Sequence, residues 1–445
     1  MTISLNRFDD LEDTDLLACT DTDGVTYKVT GAQFMNVLDP ALPWEDADVV
    51  YHVIVPSNSK GVKKQGGGAI YNMDGTVFSE SSTTTLLSGE YVITGSLEEG
   101  SLDSGHIVFM NSLGDWEFGD LTDTSKVTDI NNLFKSCNSF TGTGIEYLDV
   151  REVLNFGLMF KDCVAFAGDV SGWDVRNAKT MNQMFSGCTV FNSDISGWDV
   201  SNVEDMDFMF KAATTFKQDL SDWDVSSVTK MKHIFSDCTN FESNLSRWDV
   251  SNVQDMTSLF RNCVNFESEL GNWDVSNVTL AYDLFYGCQK FTSDLSGWDV
   301  GNMSSMSGMF QDCVNFTSDL SRWNVSNVTA MSRTFRNCGG FSSNLAHWDV
   351  SKVVDFASMF EGSTIFTSDL SWWSTGAARF MDKMFYNSKA FNTDCSYWCV
   401  EYFTSGFNKP GPPEDFYTGA TNFRSRKPKW GVTCGSPKPG SPPPL

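Results

Sequence analysis

Residues 294–318 read DLSGWDVGNMSSMSGMFQDCVNFTS, and residues 319–343 read DLSRWNVSNVTAMSRTFRNCGGFSS. Laid one over the other, Trp298 falls on Trp323, Phe310 on Phe335, Cys313 on Cys338 and Phe316 on Phe341. The same frame extends both ways at a spacing of 25: Phe160, Phe185, Phe210, Phe235, Phe260, Phe285, Phe360 and Phe385 keep it, and so does a tryptophan series from Trp173 to Trp398. A weaker unit with Phe134, Cys137 and Phe140 precedes them, offset by 26. One such unit is too small to enclose a core, so each must bury its apolar face against its neighbours.

The unit of residues 219–243 shows the expected local structure. Leu220, Trp223 and Val225 follow an L-x-x-L-x-L spacing, with Trp223 and Val225 two apart and so on one face of a short strand. Met231, Ile234, Phe235 and Cys238 lie at i, i+3, i+4 and i+7, the stripe of a helix of two to three turns. Thr229, like Thr279 and Thr329, stands where an N-cap is needed. The expected fold is therefore an α/β solenoid, a leucine-rich-repeat-like array of about ten strand-plus-short-helix turns. Parallel strands about 4.8 Å apart would make it about 50 Å long, with a strand-lined concave face.

The chain has 445 residues, 41% of them hydrophobic, and a formal net charge of −26. That charge repels nucleic acid and anionic membranes. No apolar run reaches bilayer length. The acidic start, MTISLNRFDDLEDTDLLAC, has no basic segment followed by an apolar one, so a secretory signal is not expected. Residues 48–120 alternate apolar and polar (DVVYHVIV, EYVITGSL, HIVFMNS) and predict a small β-rich domain or N-cap. QGGGAIYNM at 65–73 lacks the lysine and hydroxyl of a phosphate loop. The chain divides into 1–47, 48–120, the array at 121–400, a C-terminal cap at 401–434 and a Pro-rich tail at 435–445.

The running text FxxDLSxWDVSNVTxMxxMFxxC over residues 125–400 resembles the repeat of BspA-like leucine-rich-repeat surface proteins, with local departures at Ala213, Ser363 and Ser388 (for Cys) and Asn324 (for Asp). The resemblance implies a surface-exposed, non-catalytic, adhesive module. Asp13–Leu17 with Asp23–Phe34 is similar to an opening module of marine cyanophage virion proteins, which implies that residues 1–47 dock onto a particle. CSYWCV, FYTGATNF and RKPKWGVTC, between Cys395 and Cys434, resemble the segment that closes such arrays. Together these resemblances imply a structural or adhesive virion protein: an appendage, tail fibre or decoration. Its partners would be other virion proteins and a host-surface glycan or protein. A bacterial cell-surface adhesin is the alternative, and a glycan-active enzyme comes third.

Several ladders invite a functional reading. Asp174, Asp199, Asp224, Asp249, Asp274, Asp299 and Asp349 follow the tryptophans, and strand alternation would set them on the concave surface as a binding ladder. A second ladder (Asp169, Asp194, Asp219, Glu269, Asp294, Asp319, Asp369, Asp394) precedes the Leu position. Stacked carboxylates either bind cations such as calcium or accept backbone amides in Asx-turns. The cysteines from Cys137 to Cys338 sit on the apolar stripe, and a separation of 25 suits buried thiols better than a metal site. In the cap, a Cys399–Cys434 disulfide is expected, with Cys395–Cys434 the competing pair. The four histidines (His52, His106, His233, His347) are scattered, and no catalytic residue, resident metal or cofactor is expected.

Overall fold

The computed structural model describes the β-strands between residues 16 and 118, residue 122, and residues 124–400, 413–424 and 426–430. Strands β1 (Leu16–Thr20) and β2 (Thr26–Thr30) form an antiparallel hairpin in the register Leu16↔Thr30. The rest of segment 1–47 lies outside the described residues.

The alternating stretches that follow form eight strands: β3 (Val49–Val55), β4 (Val62–Gln65), β5 (Ile70–Asn72), β6 (Val77–Ser79), β7 (Thr83–Leu86), β8 (Gly89–Gly95), β9 (Val108–Met110) and β10 (Glu117–Phe118). They make two antiparallel sheets, ordered β10-β3-β8-β5-β6 and β7-β4-β9. Ile70 and Leu86 are fully buried.

From residue 129 onward the 25-residue units stack in register. Single parallel bridges join Asn155 to Thr180, Thr180 to Asp205 and Asp205 to Lys230, and the series resumes from Asp255 to Phe380. Between bridges the backbone bonds alternate. The amides of Phe208, Phe210 and Ala212 donate across to Lys232, Ile234 and Ser236 of the next unit. Those of Met209, Lys211 and Ala213 donate three residues back within their own unit.

This alternation replaces the expected strand-plus-helix unit. Residues 232–237 form a run of turns, with His233 and Asp237 in the left-handed region at φ 55° and 65°. Residues 223–225 lie beside a turn and not in a strand. Among the described residues the one helical element is the 3-10 turn η1 (Ile145–Tyr147). The physical reason is the distance between units. Phe260 and Phe285 rings lie 5.7 Å apart and Trp298 and Trp323 rings 6.3 Å apart. Helices packed side by side need about 8–10 Å between axes. The apolar stripe still points inward: Met231, Ile234, Phe235 and Cys238 are all buried.

Aromatic ladders fill the interior. Phe235 stacks on Phe241 of its own unit at 3.9 Å and on Phe260 of the next at 5.8 Å, while Trp248 leans against Phe235 at 6.0 Å. At the C-terminal end residues 413–424 supply one more rung. Lys383, Phe385 and Asn387 donate their amides to Glu414, Phe416 and Thr418. The ring of Phe416 meets Phe385 edge-on at 86°, which ends that ladder, while Phe423 continues the other by stacking on Phe391 at 5.5 Å. Strand β11 (Cys399–Val400) pairs in parallel with β12 (Lys429–Trp430) beside it. Residues 401–412 of the expected cap, and the tail at 435–445, lie outside the described residues.

Candidate binding surfaces

The ladder of Asp174, Asp199, Asp224, Asp249, Asp274, Asp299 and Asp349 sits on turns, not on a strand-lined face. Each Oδ1 accepts the backbone amide two residues on, at 3.0 Å from Ser226, Ser251, Ser276, Gly301 and Ser351, 3.1 Å from Ser201 and 3.3 Å from Arg176. Asn324 does the same for Ser326 at 3.2 Å. The position needs an acceptor and no charge, which explains why Asn can stand in for Asp.

The second ladder is a relay between rungs. Leu220 N–H donates to Ser243 Oγ, at the far end of its 25-residue unit and one rung along the stack, at 2.8 Å, and Ser243 donates back to Asp219 Oδ1 at 3.1 Å. Leu295, Ser318 and Asp294 repeat it, as do Leu320, Ser343 and Asp319. The repulsion of stacked carboxylates is thus met by amide and hydroxyl donors. Among the described residues no group of three His, Cys, Asp or Glu side chains converges to hold a metal ion.

The sulfur and indole ladders are equally self-contained. Cys263 Sγ donates to Phe235 O at 2.9 Å, and Cys288 and Cys313 repeat the bond one and two units on. Ser363 and Ser388 keep the same donation with a hydroxyl, to Phe335 and Phe360. Burial pushes the Cys263 thiol well above its ordinary range, so it is a packing group and not a nucleophile. Each indole N–H from Trp198 to Trp398 donates to a carbonyl 28 residues back, as Trp248 does to Leu220 at 2.9 Å. Asn277, Asn302 and Asn327 donate to carbonyls of the preceding unit. In the cap, Cys395 is a free, buried thiol, so the Cys395–Cys434 pairing is not formed. Cys399 is disulfide-bonded, and its expected partner Cys434 lies outside the described residues.

One face does not repeat. Phe208, His233, Ser258, Asp283, Gly308, Arg333, Ser358 and Lys383 occupy one slot of successive turn runs, all at positive φ. The slot three residues on holds Lys211, Ser236, Arg261, Tyr286, Gln311, Arg336, Glu361 and Tyr386. Here the side chains pair locally. His233 stacks on Phe208 at 4.6 Å with Lys211 over the same ring. Arg261 lies 4.1 Å over Tyr286 and pairs with Asp283. Arg336 meets Glu361 at 3.2 Å. Partial burial and the cations Lys211 and Arg261 push His233 down, so it is neutral at neutral pH. This face is not among the ladders legible in the sequence, because those follow the positions that recur. The signal was in those that do not.

The first unit differs from the rest, reading GIEYLDV at 144–150 where the next reads DVSGWDV at 169–175. Gly144 removes the turn carboxylate, Leu148 takes the tryptophan slot, and Gly168 replaces the relay serine and abuts Gly142. Ile145 N–H therefore turns to Gly142 O, and η1 forms. The result is a cleft of about 620 Å³ lined by Glu146, Leu148, Asp149, Asp169, Trp173 and Asp174, among others. Arg151 pairs with Asp149 at its edge, and the guanidinium holds that carboxyl below the usual range.

Residues 108–223, 209–323 and 304–430 each match one family model, described as "Mycoplasma protein of unknown function, DUF285". The chain belongs to this family. The DUF285 matches overlap, each spanning several units, and together they run from β9 to β12. No curated protein and no solved structure matches the chain. In this DUF285 chain the recurring Trp, Cys and Asn positions hold one unit to the next.

Proposed function

We propose that this DUF285 chain is a structural, adhesive protein of a phage particle, a finer version of the family in which the repeats resemble those of BspA-like surface proteins and stack as a solenoid. Segment 1–47 would dock to other virion proteins, and the array would project and bind a host-surface glycan or protein. Many weak contacts, multiplied by copy number, would supply avidity. The observation that carries this reading is the division of labour in the array. The recurring polar groups are consumed in holding units together, while one face varies from rung to rung with aromatic, cationic and anionic side chains. A chain built this way offers a broad surface and no recurrent catalytic constellation.

The test is mass spectrometry of purified particles made by the encoding genome, compared with particles whose chain lacks residues 1–47. The full chain should copurify with particles and the shortened one should not. A family description that names Mycoplasma, a cellular organism, favours the second reading, a bacterial surface adhesin. Recovery of the chain from cell surfaces and not from particles would replace the first reading by the second.

A further inference from the structure

Among the described residues the parallel bridges of the array break once, between Lys230 and Asp255. At the junction before it, Met206 N–H donates to Lys230 O and Thr229 N–H to Glu204 O. At the junction after it, Met256 N–H donates to Leu280 O and Thr279 N–H to Gln254 O. The matching amides of Met231 and Gln254 make no bond to Asp255 O or Thr229 O. The rest of this junction holds. His233, Phe235 and Asp237 donate their amides to Thr257, Leu259 and Arg261, Cys263 Sγ donates to Phe235 O, and Lys232 Nζ lies 3.4 Å from Asp255 Oδ2. The cause lies in the slot of Lys230. Asn155, Asp205, Asp255 and Asp355 each use a side-chain oxygen there to take the amide two residues on. Lys230 has no acceptor to offer. The amide of Lys232 turns instead to Asp207 Oδ1 of the rung before, at 2.8 Å, and Lys230 Nζ reaches Asp205 of that rung at 2.9 Å. Both bonds draw the stretch away from the rung after. Leu280 and Ala330 also lack an acceptor, but there the rung before holds Thr257 and Ser307 in the place of Asp207, and the bridges form.

We propose that this junction is a hinge, the place where the stack parts first, and that His233 sets how readily it opens. His233 belongs to the rung that is drawn back. Its ring stacks on Phe208 at 4.6 Å, and its Nδ1 is buried with no hydrogen-bond partner. The charged groups that face it are Lys211 from the rung before, Asp237 from its own, and Asp255 and Arg261 from the rung after. With the junction closed, a proton on Nδ1 is a buried donor without an acceptor and adds a charge near two cations. With the junction open, water takes that proton's hydrogen bond. The closed junction therefore prefers the neutral ring, and burial, with Lys211 and Arg261, holds the imidazole below its ordinary range. A lowered imidazole contributes stability at high pH, and that contribution is lost as pH falls below the value in water, about 6.5. Mild acid thus loosens this junction before the others. The inference does not rest on the attachment reading, since it concerns the joint between two rungs and not what the array binds.

The test is hydrogen exchange of the full chain, read at single amides by mass spectrometry and corrected for intrinsic rates. The missing bonds alone would free Met231 and Gln254, so the readout is a bonded amide that crosses the same junction. At about pH 7.5 the amide of Phe235 should exchange roughly tenfold faster than those of Phe210 and Phe260, which cross the junctions on either side. At about pH 5.5 that lead should widen roughly threefold more. His233→Phe, which keeps a ring on Phe208 and cannot titrate, should remove the pH step. Lys230→Asn, which supplies the acceptor that Asn155 supplies in its own rung, should bring Phe235 close to the rate of Phe260. Unchanged rates at Phe210 and Phe260 in each variant show that the array is still folded. The hinge is overturned if Phe235 exchanges no faster than Phe210 and Phe260, or if Lys230→Asn leaves its lead unchanged. The role of His233 is overturned if the lead does not change with pH, or if the change survives His233→Phe. Particle incorporation is not measured, so failure here leaves the attachment reading to its own test.

Discussion

The thiol of Cys263 donates to the carbonyl oxygen of Phe235, one unit earlier, at 2.9 Å, and that oxygen also takes the amide of Cys238. Sulfur here completes a backbone contact between rungs, which is why serine serves at 363 and 388. Cys263→Ser should therefore cost less than Cys263→Ala, which also leaves a small void. The alanine variant should lose about 1–2 kcal/mol in urea unfolding. The ladder thiols should resist a thiol reagent at pH 8 in the native chain and react on denaturation, since burial keeps them protonated. Rapid native labelling of Cys263 or Cys313 would contradict their placement.

Ser243 joins two successive rungs through a relay, while Asp224 serves only its own turn. Ser243→Ala strands the amide of Leu220 and removes a donor from Asp219, and should cost about 1–3 kcal/mol. Asp224→Asn keeps the acceptor and should stay within about 0.5 kcal/mol of the parent. Equal losses in chemical denaturation would mean that the relay bonds do not hold the rungs together.

Trp173 and Trp248 give a pair of opposite sign. Replacing Trp248 with Phe removes the indole bond to the carbonyl of Leu220, which keeps only the amide of Trp223, and should destabilise by about 1 kcal/mol. Replacing Trp173 with Phe removes a buried donor that had no acceptor, so the chain should lose much less or gain stability. Thermal unfolding of the two variants side by side checks the difference.

Acid should destabilise the chain through its turn carboxylates. The Arg176 guanidinium holds Asp174 below the usual range, and Ser226 and Ser276 do so for Asp224 and Asp274. A depressed carboxyl contributes stability above its unfolded value, about 4, and that contribution is lost as pH falls through the depressed one. Asp207 and Asp355 run the other way, raised chiefly by burial, and their contribution disappears as pH rises through the raised value. Depressed groups outnumber raised ones, so the melting temperature should fall as the pH drops below about 4. The fall should be shallower in an Asp224→Asn, Asp274→Asn double variant.

The period of 25, and the inward stripe of Met231, Ile234, Phe235 and Cys238, were legible in the sequence because burial depends on spacing alone. The backbone that delivers the stripe was not. A run of turns closed by bonds three residues back sets the same i, i+3, i+4, i+7 positions inward as a helix does. Only the 5.7 Å step between rings, a property of two units together, tells them apart. The aspartates after tryptophan read correctly as acceptors for turns in one of their two readings, and wrongly as a strand-borne surface. The departure of GIEYLDV from its neighbours was in plain view, but its consequence depends on Gly142 meeting Gly168, a contact between units.

The alternate amides that cross from one unit to the next give the array a mechanical character. They point along the stack, so a force pulling its two ends apart loads the rungs in series, as in a zipper, and each gives way without waiting for the rest. Every released unit of 25 residues pays out about 80–90 Å of chain, so a tethered array would lengthen by many times its folded extent while holding a nearly constant low tension. Such a tether absorbs shear as a sequence of small yields, and re-stacking each rung requires only that it find the one before it.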